Sequence, residues 1–427
     1  MVDTLIRNAT LADGRRVDIA IEDGRFSDIS SGILAESAGQ VIEAEGNLVT
    51  APFVDAHFHA DATLSCGIPR RNMSGTLIEG IELWGELAPT LTVDAMVQRA
   101  RHYCDWAVSM GLLHIRSHVD VSDPKLLGVE ALLQLRDEMK GRIDLQLVAF
   151  PQQGFYARPD SPALLERALD MGVDVVGGIP HFERTMRLGR ESVEALCAIA
   201  DKRGLMVDLH CDETDDPLSR HVETLVHECF KRGMAGRVAG SHLTSMHSMD
   251  NYYFSKLRGL MVEAGATVIP NPVANLLLMG RHDTYPKRRG MARVPELLES
   301  GIPVALGQDS VLDPWNPLGN ACMLEVAFAG VLAAQMTGVT AMQQAFDCVT
   351  TGAAQVMGLQ GYGITPGNPA NLVMLDCADA IEAIRLKPNR LLVMRDGKTL
   401  STMPARLAIV MGSDGQRTMI SRRHDPA

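Results

Sequence analysis

Met206-Val207-Asp208-Leu209-His210-Cys211-Asp212-Glu213 runs from an apolar segment into a polar one, and one helical stretch later Arg237-Val238-Ala239-Gly240-Ser241-His242 does the same. A short apolar strand, a polar loop and a helical stretch with apolar residues three to four apart form the βα alternation of a parallel sheet. The unit recurs from about residue 110 to residue 309. Eight strand candidates follow: residues 48–54 leading to His57, 112–116 to His118, 143–150 to Gln152, 173–179 to His181, 206–209 to His210, 237–240 to His242, 267–269 to Asn271 and 304–306 to Asp309. Eight parallel strands predict an α/β fold, a closed (β/α)8 barrel of the TIM type, with chemistry collected at the carboxyl ends of the strands. Between them, Ser161-Pro162 predicts a capped helix start, and Gly172 and Gly204 predict helix ends.

Outside the expected barrel, residues 47–367, lie two flanks, 1–46 and 368–427. Both alternate in short strands with turns such as Glu22-Asp23-Gly24 and Arg395-Asp396-Gly397. Neither flank makes a core alone, so the two ends are expected to join in one small β-sandwich beside the barrel.

With 427 residues, 46% hydrophobic and 22% charged, the chain can bury a large core, which excludes disorder and coiled coil. Its net charge of −12 and lack of a long basic run argue against nucleic acid as a partner. The best apolar run, residues 323–336, is too short to span a bilayer and contains Glu325. Residues 1–29 have no apolar stretch of the signal-peptide kind. Eight scattered cysteines without CxxC pairs suggest reduced thiols, hence a cytoplasmic location and metal ligands drawn from His and Asp.

Val54-Asp55-Ala56-His57-Phe58-His59 is the sharpest chemical signal. Residues two apart in a strand point the same way, so His57 and His59 can share one ion; two ordinary histidines satisfy the same spacing. His210 followed by Glu213 offers a ligand with a carboxyl able to shuttle protons. His242 ends the next strand, and Asp309, in Gly307-Gln308-Asp309-Ser310, can bind metal or take a proton. Singly, each is explained by core packing; four such strand ends in one order leave packing little room. His118 and His181 read as supporting or structural histidines, and Asp120 as a residue that orients a neighbour. Phe150 and Trp315 can wall a planar ring or simply fill core. Lys287-Arg288-Arg289 lacks a Gly-rich cradle, so free bases rather than nucleotides are expected.

Seven stretches carry a family likeness: Ser74-Gly75-Thr76-Leu77, residues 118–123 (HVDVSD), 148–152 (VAFPQ), 179–183 (IPHFE), 210–213 (HCDE), 284–290 (TYPKRRG) and Asp313-Pro314-Trp315. In this order they resemble the bacterial cytosine deaminases of the amidohydrolase superfamily, over nearly the whole chain. The resemblance implies one divalent ion held by His57, His59, His210 and Asp309, with zinc, iron and manganese all suited to three imidazoles and a carboxylate. It implies Glu213, His242 and Asp309 as catalytic groups, Gln152 hydrogen-bonding a pyrimidine, Leu77 as a pocket wall, and a homo-oligomer. Two-metal relatives use a carbamylated lysine at the end of the fourth strand; residues 173–184 contain no lysine.

One position departs from the family pattern. The metal-binding aspartate is expected to be followed by a second aspartate, and here Ser310 follows. A carboxylate against a 5-methyl group would cost about 1–3 kcal/mol by overpacking, which serine removes. The expected activity is therefore deamination of 5-methylcytosine to thymine and of cytosine to uracil, with release of ammonia. A rival within the same chemistry is another aminated heterocycle, isoguanine or an aminotriazine. A rival of another class is a catalytically dead barrel that only binds.

Overall fold

The structure, a computed structural model, describes residues 2–34, 36, 38–411, 413 and 416–421; Met1 and residues 35, 37, 412, 414, 415 and 422–427 of the expected flanks lie outside these. Seven parallel strands pair in chain order: Phe53–Phe58, Leu112–Asp120, Asp144–Phe150, Val175–Gly178, Met206–Cys211, Val238–His242 and Thr267–Ile269. Every residue of the first, fourth, sixth and seventh is buried, because helices cover a parallel sheet outside and side chains fill it inside. The helices start and stop on local chemistry. Thr92, Thr185 and Asp250 accept the N–H of Ala95, Leu188 and Tyr253, and Gly204 ends the helix Met186–Arg203 in the left-handed conformation.

Three expectations need correction. Residues 48–54 are not one strand: Leu48–Thr50 belongs to the outer sheet, and the barrel strand is Phe53–Phe58. Pro52, with no N–H to donate, stands between them. The cap at Ser161 is absent, since Ser161 is already helical and Asp160 precedes it without a side-chain cap bond. Arg158 holds that carboxylate through Nε and Nη2 at 3.0 and 2.6 Å.

The eighth strand is not continuous. Val304 bridges Val268, with the Ala305 and Gly307 N–H groups donating to the Val268 and Pro270 carbonyls at 3.0 Å, and Asp309 bridges Phe58, but between these points the side facing the first strand has no ladder. Pro303 has no N–H, the Leu306 N–H goes to the Cys348 carbonyl outside the sheet, and the Gln308 N–H goes to Asp55 Oδ1 at 3.0 Å. Closure concentrates at the mouth: Asp309 N–H donates to the His57 carbonyl at 2.8 Å, and His59 N–H donates to the Asp309 carbonyl at 3.0 Å. Gly307 permits the approach. A Cβ there would lie 2.2 Å from Asn271 Oδ1 and 2.7 Å from His57 Cβ.

Strands from both ends join in one sheet of eight, whose path runs from Lys398–Ser401 through Arg390–Arg395, Leu372–Leu375, Leu48–Thr50, Val2–Thr10 and Arg16–Glu22 to Arg25–Ser30, with Ala38–Glu43 also on Val2–Thr10. The sheet curls until its outer hairpins touch, with Gly24 so close to Asp396 that a Cβ would stand 2.9 Å from its carbonyl oxygen. Ile19, Phe26, Val49, Leu372 and Met394 fill the space enclosed. The neighbouring residues Leu48, Val373 and Leu375 point the other way, into the barrel's core, as strand alternation requires. The expected sandwich is thus met by one folded sheet, while Leu407–Met411 and Arg417–Ser421 form a separate two-stranded ribbon. No helix among the described residues is long and apolar enough to cross a membrane.

Gly307→Ala is expected to lower the unfolding free energy by about 1–3 kcal/mol. Gly259→Ala, at an exposed helical position with nothing within 4 Å of the new methyl, is expected to raise it by about 0.5–1 kcal/mol. Urea denaturation of both reads the difference; a Gly307→Ala protein as stable as its parent would mean that the barrel mouth is not closely packed there.

Candidate active site

Three strand ends, the first, the fifth and the eighth, deliver four donors to one place. The His57, His59, His210 and Asp309 donor atoms all lie within 4.8 Å of one another. Asp309 Oδ1 is 3.4 Å from Nε2 of both His57 and His59, and the Nε2 atoms of His59 and His210 are 3.0 Å apart. Such spacings suit ligands about 2.0–2.1 Å from a shared ion. His57 Nε2 is buried and has no hydrogen-bond partner, as suits a lone pair that faces a metal.

The electrostatics suit a cation. Burial pushes His59 down to about 3 and His210 well below the ordinary histidine range, so both offer neutral imidazole at physiological pH. Burial alone would raise Asp309, but its contact with His57 and the surrounding imidazoles hold it below the usual carboxylate range. A second trio, His57, His118 and Asp208, is close enough to hold an ion. Its carboxylate, however, is already matched by Arg116 Nη1 at 3.0 Å and the Ser241 hydroxyl at 2.6 Å, leaving no net negative charge for a second cation.

Beside the donors stand Glu213 and His242. Glu213 Oε1 is 3.4 Å from His242 Nδ1, and its side chain is almost wholly buried. Burial, then the negative charge of Asp309, pushes the Glu213 carboxyl well above its ordinary range. The loop that presents it is fixed by Asp212, whose carboxylate accepts from Ser219 Oγ and from the first N–H groups of the helix His221–Lys231. His242 is gripped on both nitrogens, with Nε2 3.1 Å from Asn271 Nδ2 and Nδ1 2.9 Å from Asn275 Nδ2. Asp212, His242 and Asp309 all have positive φ, at 51°, 66° and 66°; left-handed backbone in three non-glycine residues marks a mouth shaped by its surroundings rather than by local preference.

These groups open on a cavity of about 130 Å³, and Gln152, Leu77, Phe150, Ser310 and Trp315 all line it. Phe150 stacks on the His210 ring with centroids 4.0 Å apart, so it walls the cavity and braces a donor at once. Asp120 accepts the Trp84 indole N–H at 3.1 Å, the orienting contact expected of it. His181 also lines the cavity, whereas His118 lies behind the donors with its ring 4.1 Å from that of His57. Behind Ser310, whose carbonyl accepts from Asn316 Nδ2 at 2.8 Å, burial pushes the Asp313 carboxyl up to about 7. Sequence reasoning missed Ile81, Trp84, Phe182 and Leu278, apolar lining residues of the same types as core. It also missed Asn275 and gave Asn271 no role, although Asn271 was one of the polar strand ends. The three basic residues near 288 bind inward: Arg288 to Asp283, Lys287 and Arg289 to backbone carbonyls.

Residues 40–401 match the amidohydrolase family. A 5-methylcytosine deaminase from Klebsiella pneumoniae, solved with 5-fluorocytosine, is 41% identical, with a TM-score of 0.91 over 94% of this chain and 98% of that one. The N-isopropylammelide isopropyl amidohydrolase of Pseudomonas sp. (strain ADP) is 28% identical over 93% of this chain and 97% of its own. A pterin deaminase from Rhizobium rhizogenes (strain K84 / ATCC BAA-868) is 24% identical over 90% and 88%.

Metal analysis of the purified protein is expected to find one divalent ion per chain, removed by chelation and restored by zinc, iron or manganese. His59→Ala and Asp309→Ala are each expected to abolish stoichiometric retention; full retention by either would exclude the four-donor site.

Proposed function

The chain belongs to the amidohydrolase family, and we propose that it hydrolyses the exocyclic amine of a free aminopyrimidine, 5-methylcytosine and cytosine, releasing ammonia. The observation that carries this reading is Glu213, a buried carboxyl held above its ordinary range beside four metal-type donors in a cavity of about 130 Å³. The relative at 41% identity, named for 5-methylcytosine, supports the choice of base. A divalent ion, when bound, brings the pKa of its water toward about 7 and so supplies hydroxide at neutral pH.

The chain's own residues do the rest. Gln152 hydrogen-bonds the ring edge, and Leu77, Phe150 and Trp315 hold its faces. Glu213, kept protonated by burial, gives its proton to the ring nitrogen beside C4, which makes that carbon electrophilic. Asp309 takes a proton from the attacking water, and neutral His242, steadied by Asn271 and Asn275, orients it. Glu213, now a base, takes the proton of the new C4 hydroxyl and carries it to the departing amine, and the proton held by Asp309 returns to Glu213. A C–O bond forms, the C–N bond breaks, and the two protons of water end on the ring nitrogen and on ammonia.

Ser310 sets the room beside C5. An aspartate there would press a carboxylate on a 5-methyl group at about 1–3 kcal/mol, while burying that methyl in the present cavity contributes about 0.8 kcal/mol. Free bases suit the site better than nucleotides, since its nearby Lys287, Arg288 and Arg289 are engaged within the chain. The relative that acts on N-isopropylammelide keeps an aminotriazine as the second reading.

Ammonia release from 5-methylcytosine, cytosine and N-isopropylammelide separates these readings, with 5-methylcytosine expected to be turned over at least as efficiently as cytosine. A clear preference for the triazine would reject the pyrimidine assignment. Ser310→Asp is expected to lower kcat/KM on 5-methylcytosine about 10- to 100-fold relative to cytosine, and an unchanged ratio would remove Ser310 as the determinant. Glu213→Gln is expected to lose roughly 10²–10⁴ in kcat with its metal retained; near-normal turnover would deny Glu213 its proton-transfer role.

A further inference from the structure

Behind the four donors runs a line of fully buried polar groups that the proposed chemistry leaves unused. His57 Nδ1 lies 2.9 Å from Ser241 Oγ. Ser241 Oγ donates to Asp208 Oδ1 at 2.6 Å, and Asp208 Oδ2 meets Arg116 Nη1 at 3.0 Å. All four residues are 0% exposed.

We propose that Ser241 and Asp208 are positioning residues that fix His57 as its Nδ1–H tautomer and so aim its Nε2 lone pair at the metal. The argument counts protons. A carboxylate paired with a guanidinium only accepts, so the single hydroxyl proton of Ser241 goes to Asp208. Ser241 Oγ can then only accept from His57, which requires a proton on Nδ1. The opposite tautomer would set two bare acceptors 2.9 Å apart between fully buried residues. The one nitrogen left unprotonated is Nε2, which is both the atom without a hydrogen-bond partner and the one 3.4 Å from Asp309.

Arg116 anchors the line to the barrel wall. Its Nε donates to Gln146 Oε1 at 2.7 Å on the next strand, and its Nη2 reaches the Val356 carbonyl at 3.4 Å. Asp208 stands two residues before His210 on one strand, and Ser241 directly before His242 on the following one. The line therefore registers four barrel strands against the imidazole of the first. Outer hydrogen bonds to a ligating histidine commonly change metal affinity by 10- to 100-fold.

This inference rests on the metal reading of the site, and zinc affinity measured by chelator competition tests the two separately. Wild type is expected to bind one zinc that His59→Ala does not; absence of binding in wild type, or wild-type affinity in His59→Ala, overturns the metal reading and this inference with it. Given wild-type binding, Ser241→Ala is expected to bind zinc about 10- to 100-fold more weakly and Ser241→Thr to recover most of that loss. Asp208→Asn is expected to be at least as weak as Ser241→Ala, because an amide donating to Ser241 turns the hydroxyl proton toward Nδ1 and puts the imidazole proton on Nε2. Zinc affinity within threefold of wild type in both Ser241→Ala and Asp208→Asn would overturn the positioning role alone. Nitrogen-15 histidine NMR of the zinc-loaded wild type needs no variant to fold: a proton on His57 Nδ1 is expected, and a bare Nδ1 would overturn the inference.

Discussion

Two hydrogen bonds between the first strand and Asp309 hold this molecule in its working shape. They join the two ends of a sheet that otherwise would stay open, and they do so at the residues that carry the chemistry: the backbone of His57 and His59 is tied to the backbone of the aspartate whose carboxylate faces both rings. On the side facing the first strand, the eighth segment gives up its ladder before reaching this point. Asp55 takes over the Gln308 N–H, and Gly307 surrenders a side chain so that Asn271 and His57 can come near. Because the ring of strands closes through the ligands' own peptide groups, donor spacing and barrel closure are one constraint rather than two.

Burial then acts on the gathered groups in opposite directions with one purpose. It disfavours charge, so it keeps the His59 and His210 imidazoles neutral, each with a lone pair to offer a cation, and keeps Glu213 protonated and able to donate. Asp309, in contact with His57, runs against the trend and stays below the usual carboxylate range. A carboxylate held charged and a carboxylic acid held neutral thus coexist in one small cavity, the pairing that separates acid from base in hydrolytic sites.

The sequence made legible whatever depends on residue type at a strand end. His57, His59, His210, His242 and Asp309 stand out because polar residues ending apolar runs have few structural explanations, and the structure brings all five together. What stayed hidden depends on three-dimensional neighbours. Ile81, Trp84, Phe182 and Leu278 look like core until a cavity is seen in front of them. The eighth strand looks regular because nothing in 304–306 reveals that Asp55, some 250 residues earlier, competes for a ladder N–H. Ser161 looks like a cap until Arg158 is found holding the residue before it. The small β unit was legible as a union of chain ends, but the curl of one sheet upon itself lay in contacts between distant hairpins.

That union orders events in time. Thr50 pairs with Val373, more than three hundred residues further along the chain, and Leu48 and Val373 both project into the barrel's core. During synthesis the strand Leu48–Thr50 can be flanked on one side early, by Val2–Thr10, but its other edge stays open until the last sixth of the polypeptide has left the ribosome. Contacts of such sequence separation are slow to form, and an unpaired edge is the kind of surface that foreign strands extend. The nascent chain is therefore most exposed to misassembly before its C-terminal strands arrive.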